Sequence, residues 1–497
     1  MARYLTVVGK NNRWSVFRPN WSMFWFFDLT ANRFNTYFFV LPQVHTSTRG
    51  LDPRQVLGAR NRDKNVPTGL TTLYIYPMRF HLCYSLILLS LAVFAQPQDF
   101  QLAATVEDQG FAPDRLAKLD SFLRHLVDEA IVPQAVTFVA RRGEIVHHKG
   151  FGYHNLDTQQ PISTDALFRI ASQTKAIVTI GLLTLYEEGH FLLEDPISKY
   201  LPEFSHPRIL SEYDTASLEY TSRPAEVPIN IRHLLTHTAG IPYSHPLEER
   251  PEFQLPYFAS LEADQLEEVC RKIAARPLLH EPGEQFTYGL NIEVIGRLIE
   301  VLSGQALDVF LQQRIFIPLG MNDTHFYLPP GQENRLVELY SKAAPDAPLE
   351  LHENETYRTF AYAGAQTYFS GGAGLVGSIE DYAKFLQMLL NGGRFNDHRI
   401  LSPHTIDFLL RNHSGDNTVW NRQDPYGLGF MRFSAQSRYG DQASTSSFNW
   451  GGMYCSEYTA DPDNELLLLI YTNVHPVPQY SEIVRKFRIM VYSALLE

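Results

Sequence analysis

Apolar positions along the chain change period several times, and each change predicts an element. Residues 116–129 repeat at helical spacing. Residues 135–153 instead alternate on either side of Arg142-Gly143, which predicts two strands joined as a hairpin. Ile177, Ile180, Leu183 and Tyr186 then recur at helical spacing, predicting a buried helix that ends near Gly189 and holds Ser172 in its first turn. Helical patterns dominate from about 195 to 330, at 231–236, 261–275 and 292–302, the last closed by Gly304. The Pro-containing, charged stretch 331–365 predicts a surface excursion. Ser378-Ile-Glu-Asp has the form of a capping box ahead of a short amphipathic helix at 381–390. Strand patterns return at 426–433, 445–450, 454–460 and 465–472, and a last amphipathic helix covers 481–496. Strands at both ends with helices between them predict an α+β fold. An antiparallel β-sheet is built from the N- and C-terminal segments and flanked by helices, with a mostly helical lobe inserted.

The first 77 residues do not share this organisation. They show no steady period, and they carry ten Lys and Arg against three Asp and Glu, so the remaining residues hold −19 of a net charge of −12. Met78-Arg-Phe-His then opens a basic start, residues 82–95 are mostly apolar, and Val93-Phe94-Ala95 places small side chains before Gln96-Pro97. This order predicts a secretory signal peptide over 78–95, cleaved after Ala95. The apolar run is shorter than the roughly 20 residues of a membrane span. Translation is therefore expected to start at Met78, with 1–77 a non-native upstream extension and 96–497 a secreted or periplasmic enzyme unit. A basic arm with a short membrane anchor, or a core helix, are the other readings of this region. Membrane contact follows only if residues 82–95 stay as an anchor. Cys83 falls inside the signal segment, and whether Cys270 and Cys455 pair is open. The acidic remainder has no basic stripe, which argues against a nucleic-acid partner.

Candidate chemistry starts at Ser172-Gln-Thr-Lys175. On a helix, positions i and i+3 share a face, so the hydroxyl and amine can meet. A neutral lysine can take a serine proton, and a helix N-terminus helps hold an oxyanion. A capping serine beside a solvated lysine is the plainer reading of the same four residues. Pro282-Gly283 delivers Tyr288 directly ahead of a helix, where a phenol can share a site with another helix start. Trp450-Gly451-Gly452 puts two glycines on a strand, as needed where a substrate backbone or acyl group approaches closely. His233 and His237 stand four apart, a spacing that can bind zinc, but no glutamate follows His233 and no third ligand is evident. No Gly-x-Ser-x-Gly elbow occurs. The glycines at 371, 372, 374 and 377 lack a Walker lysine and read as close packing. No metal and no cofactor is called for.

Taken together, Ser172-Gln-Thr-Lys175, Tyr288 after Pro282-Gly283, and Trp450-Gly451-Gly452 resemble the serine β-lactamase and penicillin-binding-protein superfamily. The likeness is to its class C-like branch, and within that to family VIII carboxylesterases and related transesterases. It spans about 105–495 and includes the flanking stretches 231–241, 318–324 and 370–378. It implies a β-lactamase/transpeptidase-like fold, with Ser172 as acylated nucleophile and Lys175 and Tyr288 moving its proton. It also implies an oxyanion hole from the Ser172 and Met453 N–H groups. Penicillin-recognising members generally carry Lys-Thr-Gly where this chain has Trp450-Gly451-Gly452, and tryptophan supplies no charge for a substrate carboxylate. An asparagine often stands two residues beyond the tyrosine; position 290 is leucine here, so either Asn291 substitutes from the next position or the role is absent. The expectation is a serine hydrolase acting through an acyl-enzyme on a small-molecule carboxylic ester. The runner-up substrates are a β-lactam, a D-amino-acid peptide or an acyl-accepting alcohol. A catalytically weak binding or scaffold protein that keeps the fold is the reading of another class.

Overall fold

The computed structural model describes residues 99–496, so the segments read as upstream extension and signal peptide lie outside the described residues. The main sheet runs through β1 (Gln101–Leu102), β2 (Gln134–Arg141), β3 (Glu144–Asn155), β4 (Met431–Arg432), β5 (Phe448–Gly452), β6 (Ser456–Asp461) and β7 (Leu466–Tyr471). Their spatial order is β1-β3-β2-β7-β6-β5-β4, with Gln160–Pro161 pairing on β3. Every neighbour along this path is antiparallel except β1 on β3. The sheet is thus closed in the middle by β2 from the first part and β7 from the last, in register Leu468↔Val139 and Leu469↔Phe138. The β2–β3 turn falls at Arg142 (φ 53°) and Gly143 (φ 80°), the two left-handed residues a tight hairpin needs.

The unbroken apolar run of β7 follows from burial on both faces. Leu466, Leu468 and Ile470 pack with Leu119 and Leu123 of α1 (Pro113–Asp128) and with Phe487 and Val491 of the last helix. Leu467, Leu469 and Tyr471 point the other way, into the core shared with α2 (Thr174–Glu187), α3 (Asn291–Ser303) and α4 (Ile379–Leu390). The last helix, α5, spans Tyr480–Ala494. Helix α2 is buried almost all round. Its Leu182, Leu183 and Ile180 each contribute about 1.5–3 kcal/mol by leaving water, so Leu183→Ala is expected to cost about 2–5 kcal/mol. Gly304 ends α3 in the left-handed conformation (φ 68°), as its position predicts.

The inserted lobe is mostly helical, as expected, and also holds an antiparallel hairpin of Arg208–Tyr213 with Tyr220–Pro224. Other expectations are corrected. The stretch 426–433 contributes only two residues to the sheet, since the chain turns back on itself within it: Gly429 is left-handed (φ 83°) and the Gly427 N–H donates to the Phe430 carbonyl. The stretch 331–365 is no mere excursion: Val337, Leu339 and Phe360 are buried, and the buried Arg169 donates to the carbonyls of Val337 and Tyr357. Ser378 caps α4 through its hydroxyl, but Asp381 turns its carboxylate to the Asp323 N–H and the Thr324 hydroxyl, so only half the capping box forms. Cys270 and Cys455 are buried and unpaired. Among the described residues no helix is long and apolar enough to cross a membrane.

Candidate active site

Ser172 sits one step earlier than the sequence pattern places it. It lies in a single 3-10 turn, Ala171–Gln173, that runs straight into α2 and leaves Lys175 in the first α-helical turn. The entry is strained: Ala171 has φ 44°, a left-handed value that a non-glycine residue adopts only when its surroundings fix it. Those surroundings are visible. The Tyr471 hydroxyl donates to the Gln173 side chain (2.6 Å), the Tyr382 hydroxyl to the Gln173 carbonyl (3.0 Å), and the Leu375 N–H to Thr174 Oγ1 (3.1 Å).

Lys175 is fully buried, and its Nζ lies 3.2 Å from Ser172 Oγ, 2.6 Å from the Tyr243 hydroxyl and 2.7 Å from the Gly372 carbonyl. The carbonyl has no proton to give, so one N–H must point at it. A neutral amine then has one more N–H and one lone pair for the two hydroxyls. The arrangement allows the lone pair to receive the Ser172 proton while Tyr243 accepts the second N–H. Burial above all, with Tyr288, Glu293 and Tyr257 adding to it, pushes the Tyr243 phenol up, while its hydrogen bond to Ser172 opposes. Tyr243 therefore keeps its proton at neutral pH and can pass one between Lys175 and Ser172 without becoming a free phenolate.

Tyr288 also reaches the site, although its hydroxyl is not among the hydrogen-bond partners of Lys175 Nζ. Lys175 Nζ lies 4.8 Å from its ring centroid, and its hydroxyl accepts from Trp450 Nε1–H at 3.2 Å. Trp450 also packs its ring on Tyr288 (5.2 Å) and stacks on Trp420 (5.3 Å, 21° between planes). The strand glycines act as close-approach positions. A Cβ on Gly452 would lie 2.5 Å from the Ile170 carbonyl oxygen, and one on Gly451 would lie 2.3 Å from the Tyr480 hydroxyl. The missing side chains let β5 close against the Ser172 turn, which sets Met453 beside the nucleophile; Met453 and Ser172 line the same two cavities. Asn291 is placed elsewhere. Its Nδ2 lies 2.9 Å from His237 Nδ1 and 3.3 Å from the Ile241 carbonyl, and it lines neither cavity. Burial pushes the His237 imidazole well down, with Lys175 adding to it, so His237 is a neutral packing partner of Tyr288. His233 accepts from the Asn230 N–H, completing a helix cap. Among the described residues no group of three His, Cys, Asp or Glu is arranged to hold a metal ion.

Two residues escaped the sequence reading. Tyr243 belongs to no motif; its only signal is that it stands two residues past the 231–241 stretch. Glu293 lies five residues beyond Tyr288, where a lone charge between Ile292 and Val294 was the clue. Its carboxylate is almost wholly buried and accepts from the Ser370 hydroxyl (2.5 Å) and from the Gly371 (2.9 Å) and Gly372 (3.1 Å) N–H groups. It thereby fixes the Ser370–Gly372 turn, from which the Gly372 carbonyl reaches Lys175. Burial pushes the Glu293 carboxyl up, against the opposing pull of Ser370, Lys175 and Gly372.

Two cavities meet at Ser172 and share Tyr288 and Met453. One, about 690 Å³, is lined by Tyr257, Phe258, Leu255, Leu290 and Tyr243 among others. The other, about 300 Å³, lies on the β5 side and is lined by Trp420, Arg422, Asn449, Trp450, Glu457 and Tyr480.

Comparison with known proteins fits this geometry. The family model described as Beta-lactamase matches residues 119–488. Esterase EstB of Burkholderia gladioli is 27% identical over 393 residues, covering 75% of this chain and 94% of the relative. Monacolin J acid methylbutanoyltransferase of Aspergillus terreus is 28% identical, covering 62% of this chain and 73% of its own. Among solved structures, EstCE1, a hydrolase with promiscuous acyltransferase activity, superposes with a TM-score of 0.64 at 25% identity, over 77% of this chain and 99% of that one.

Proposed function

This chain belongs to the beta-lactamase family, and we propose that within it the protein is a carboxylic-ester hydrolase that works through an acyl-enzyme on Ser172. One observation carries the proposal: Ser172 Oγ, the buried Lys175 amine and the Tyr243 hydroxyl form one hydrogen-bonded set at the meeting point of two cavities. Lys175 receives the Ser172 proton as Oγ attacks the ester carbonyl, with Tyr243 relaying it. The Ser172 and Met453 N–H groups hold the developing oxyanion, a contribution typically worth about 10²–10³ in rate per donor. Tyr288, steadied by the Trp450 indole, stands where the leaving oxygen departs and delivers its proton. Water then attacks the acyl-enzyme by the reverse proton path. The acyl group occupies the larger, aromatic-lined cavity and the alcohol the smaller one.

The names of similar proteins support an ester substrate, since they include an esterase and a lovastatin esterase. They equally support a second reading, acyl transfer to an alcohol, because a methylbutanoyltransferase and a hydrolase with promiscuous acyltransferase activity are also among them. A separate alcohol cavity beside Ser172 favours that reading too. The apolar segment at 82–95 supports a secreted or periplasmic enzyme with residues 96–497 as its mature unit; N-terminal sequencing of secreted protein is expected to begin at Gln96, and recovery of Met1 would refute it. The substrate class is tested by comparing p-nitrophenyl butyrate with a chromogenic cephalosporin. The ester is expected to turn over faster, because Trp450 brings no charge to a β-lactam carboxylate. Faster cephalosporin turnover would refute the ester assignment.

A further inference from the structure

The larger cavity is not apolar throughout. Tyr257, Phe258, Leu255 and Leu290 give it apolar walls, yet Ser244, Glu248, Gln254 and Arg276 line it too. None of these four borders the smaller cavity, so they lie away from the junction at Ser172. Arg276 is 8% exposed. Its Nε (2.7 Å) and Nη2 both donate to the Phe253 carbonyl, which fixes the guanidinium and leaves Nη1 without a partner among the described residues. Glu248 accepts the His245 N–H through Oε2 (3.1 Å), and its other oxygen is equally without a partner.

These two side chains form no hydrogen bond or ion pair with each other, but they are close enough to be felt: burial pulls the Arg276 guanidinium down and Glu248 opposes. The third charge in the wall, Glu293, is taken up by Ser370, Gly371 and Gly372. An open donor and an open acceptor thus face one cavity, with no net charge between them. A charged ligand would satisfy one and repel the other. A hydroxyl serves both, since its oxygen accepts from the guanidinium and its proton goes to the carboxylate. The remaining walls favour a ring. Tyr257 stacks on Tyr357 (5.0 Å, 16° between planes) and its hydroxyl lies 3.9 Å from Met453 Sδ, so it is held in place beside the nucleophile. Phe258 lies 4.4 Å from it and is backed edge-on by Phe360 (5.7 Å). An aromatic ligand gains offset and edge contacts with such fixed rings that a flexible chain does not.

Resting on the ester-hydrolase reading above, we infer that the preferred acyl group is a neutral hydroxyarylalkanoyl group, with its ring beside Tyr257 and Phe258 and its hydroxyl between Arg276 and Glu248. The cavity, about 690 Å³, has room for it. Arg276 and Glu248 are then specificity-determining residues of the acyl side, and neither is a hydrogen-bond partner of Ser172 or Lys175.

The test uses methyl esters of para-hydroxyphenyl-acetic, -propanoic and -butanoic acid against the same esters without the hydroxyl, which share the leaving group and nearly the same carbonyl reactivity. At one chain length or more, kcat/KM is expected to favour the hydroxyl about tenfold, and the para-methoxy ester, which accepts but cannot donate, to lose that preference. Glu248→Gln, at an exposed residue, can keep its oxygen for the His245 N–H but then presents a donor to the ligand, so the preference is expected to fall to about threefold or less. Equal rates with and without the hydroxyl at all three lengths, or a preference that Glu248→Gln leaves unmoved, overturns the subsite. A stronger preference for a para-carboxyl or a para-aminomethyl acyl group also overturns it. Calorimetric binding of the corresponding primary amides to the natural protein needs neither turnover nor a variant. Binding of a hydroxyl amide about tenfold tighter than its parent supports the subsite, and equal binding at every length overturns it. Absence of turnover of every ester bears on the ester-hydrolase reading alone, since the amide comparison still decides the subsite.

Discussion

Glu293→Gln perturbs the site without touching the substrate. The carboxylate takes three donors, with Oε1 shared by the Ser370 hydroxyl and the Gly372 N–H, and Oε2 facing the Gly371 N–H. A glutamine can keep the first two by placing its oxygen at the Oε1 position, but its amide N–H groups then meet the Gly371 N–H, donor against donor. Leaving one buried donor unpaired costs about 1–3 kcal/mol. If the Ser370–Gly372 turn shifts to relieve that clash, it carries the Gly372 carbonyl off Lys175 Nζ, now 2.7 Å away. A loss of about 2 kcal/mol in orienting the amine corresponds to a fall in kcat of about 30-fold. Glu293 is a positioning residue, so KM for p-nitrophenyl butyrate is expected to stay within about threefold while kcat falls. Initial rates well below the thermal midpoint separate this from unfolding, and the rate of Ser172 acylation by a fluorophosphonate should fall in parallel. A variant with a lower midpoint but unchanged kcat and labelling rate would refute the idea that Glu293 acts through Lys175.

Tyr243→Phe removes the hydroxyl nearest Lys175 Nζ and is expected to lower kcat about 10²-fold in an ester assay, the usual scale for one acid–base partner; a loss confined to Tyr288→Phe would return the relay to Tyr288. Gly452→Ala puts a Cβ 2.5 Å from the Ile170 carbonyl oxygen and 2.6 Å from Ser456 Oγ, so β5 must back away from the Ser172 turn. With Met453 displaced, a loss of about 10²–10³ in kcat/KM is expected, and near-normal kinetics would count against the Met453 oxyanion donor. Asp120 tests the fold remote from the site. Burial alone would raise its carboxyl, but the hydrogen bonds and charges of His147 and Lys149 hold it at about 2, down from 3.8. Because the folded value is depressed, its stabilising effect is present above about pH 4 and is lost as pH falls toward 2. The thermal midpoint of Asp120→Asn should therefore lie below that of the natural protein at neutral pH and converge with it on acidification; a gap that persists at pH 2 would refute this.

The sheet at the two ends of the chain was legible because β2 and β7 announce themselves locally, one through a left-handed turn at Arg142-Gly143 and the other through its apolar run. What sequence periodicity missed is held by tertiary contacts. The 208–224 hairpin has mostly exposed residues and no clean alternation, so nothing marked it as strand. The 331–365 stretch reads as polar surface, yet Arg169 draws it inward by donating to backbone carbonyls, an interaction with no sequence signature. In the site, Ser172, Lys175 and Trp450 were found because their spacing carries chemistry. Tyr243 and Glu293 stand in segments whose meeting with Lys175 exists only in the folded chain. Asn291 shows the reverse: a residue next to the expected position whose helix start turns it to His237.

The central claim is that Ser172 is acylated because Lys175 takes its proton. Intact-mass analysis after exposure of folded protein to a fluorophosphonate, with peptide mapping, tests it most directly. The account predicts one adduct, on Ser172, lost in Ser172→Ala and slowed at least about 10²-fold in Lys175→Ala while both variants keep the thermal midpoint of a folded protein. No adduct on Ser172 in the folded natural chain, or labelling that Lys175→Ala leaves unchanged, would contradict it.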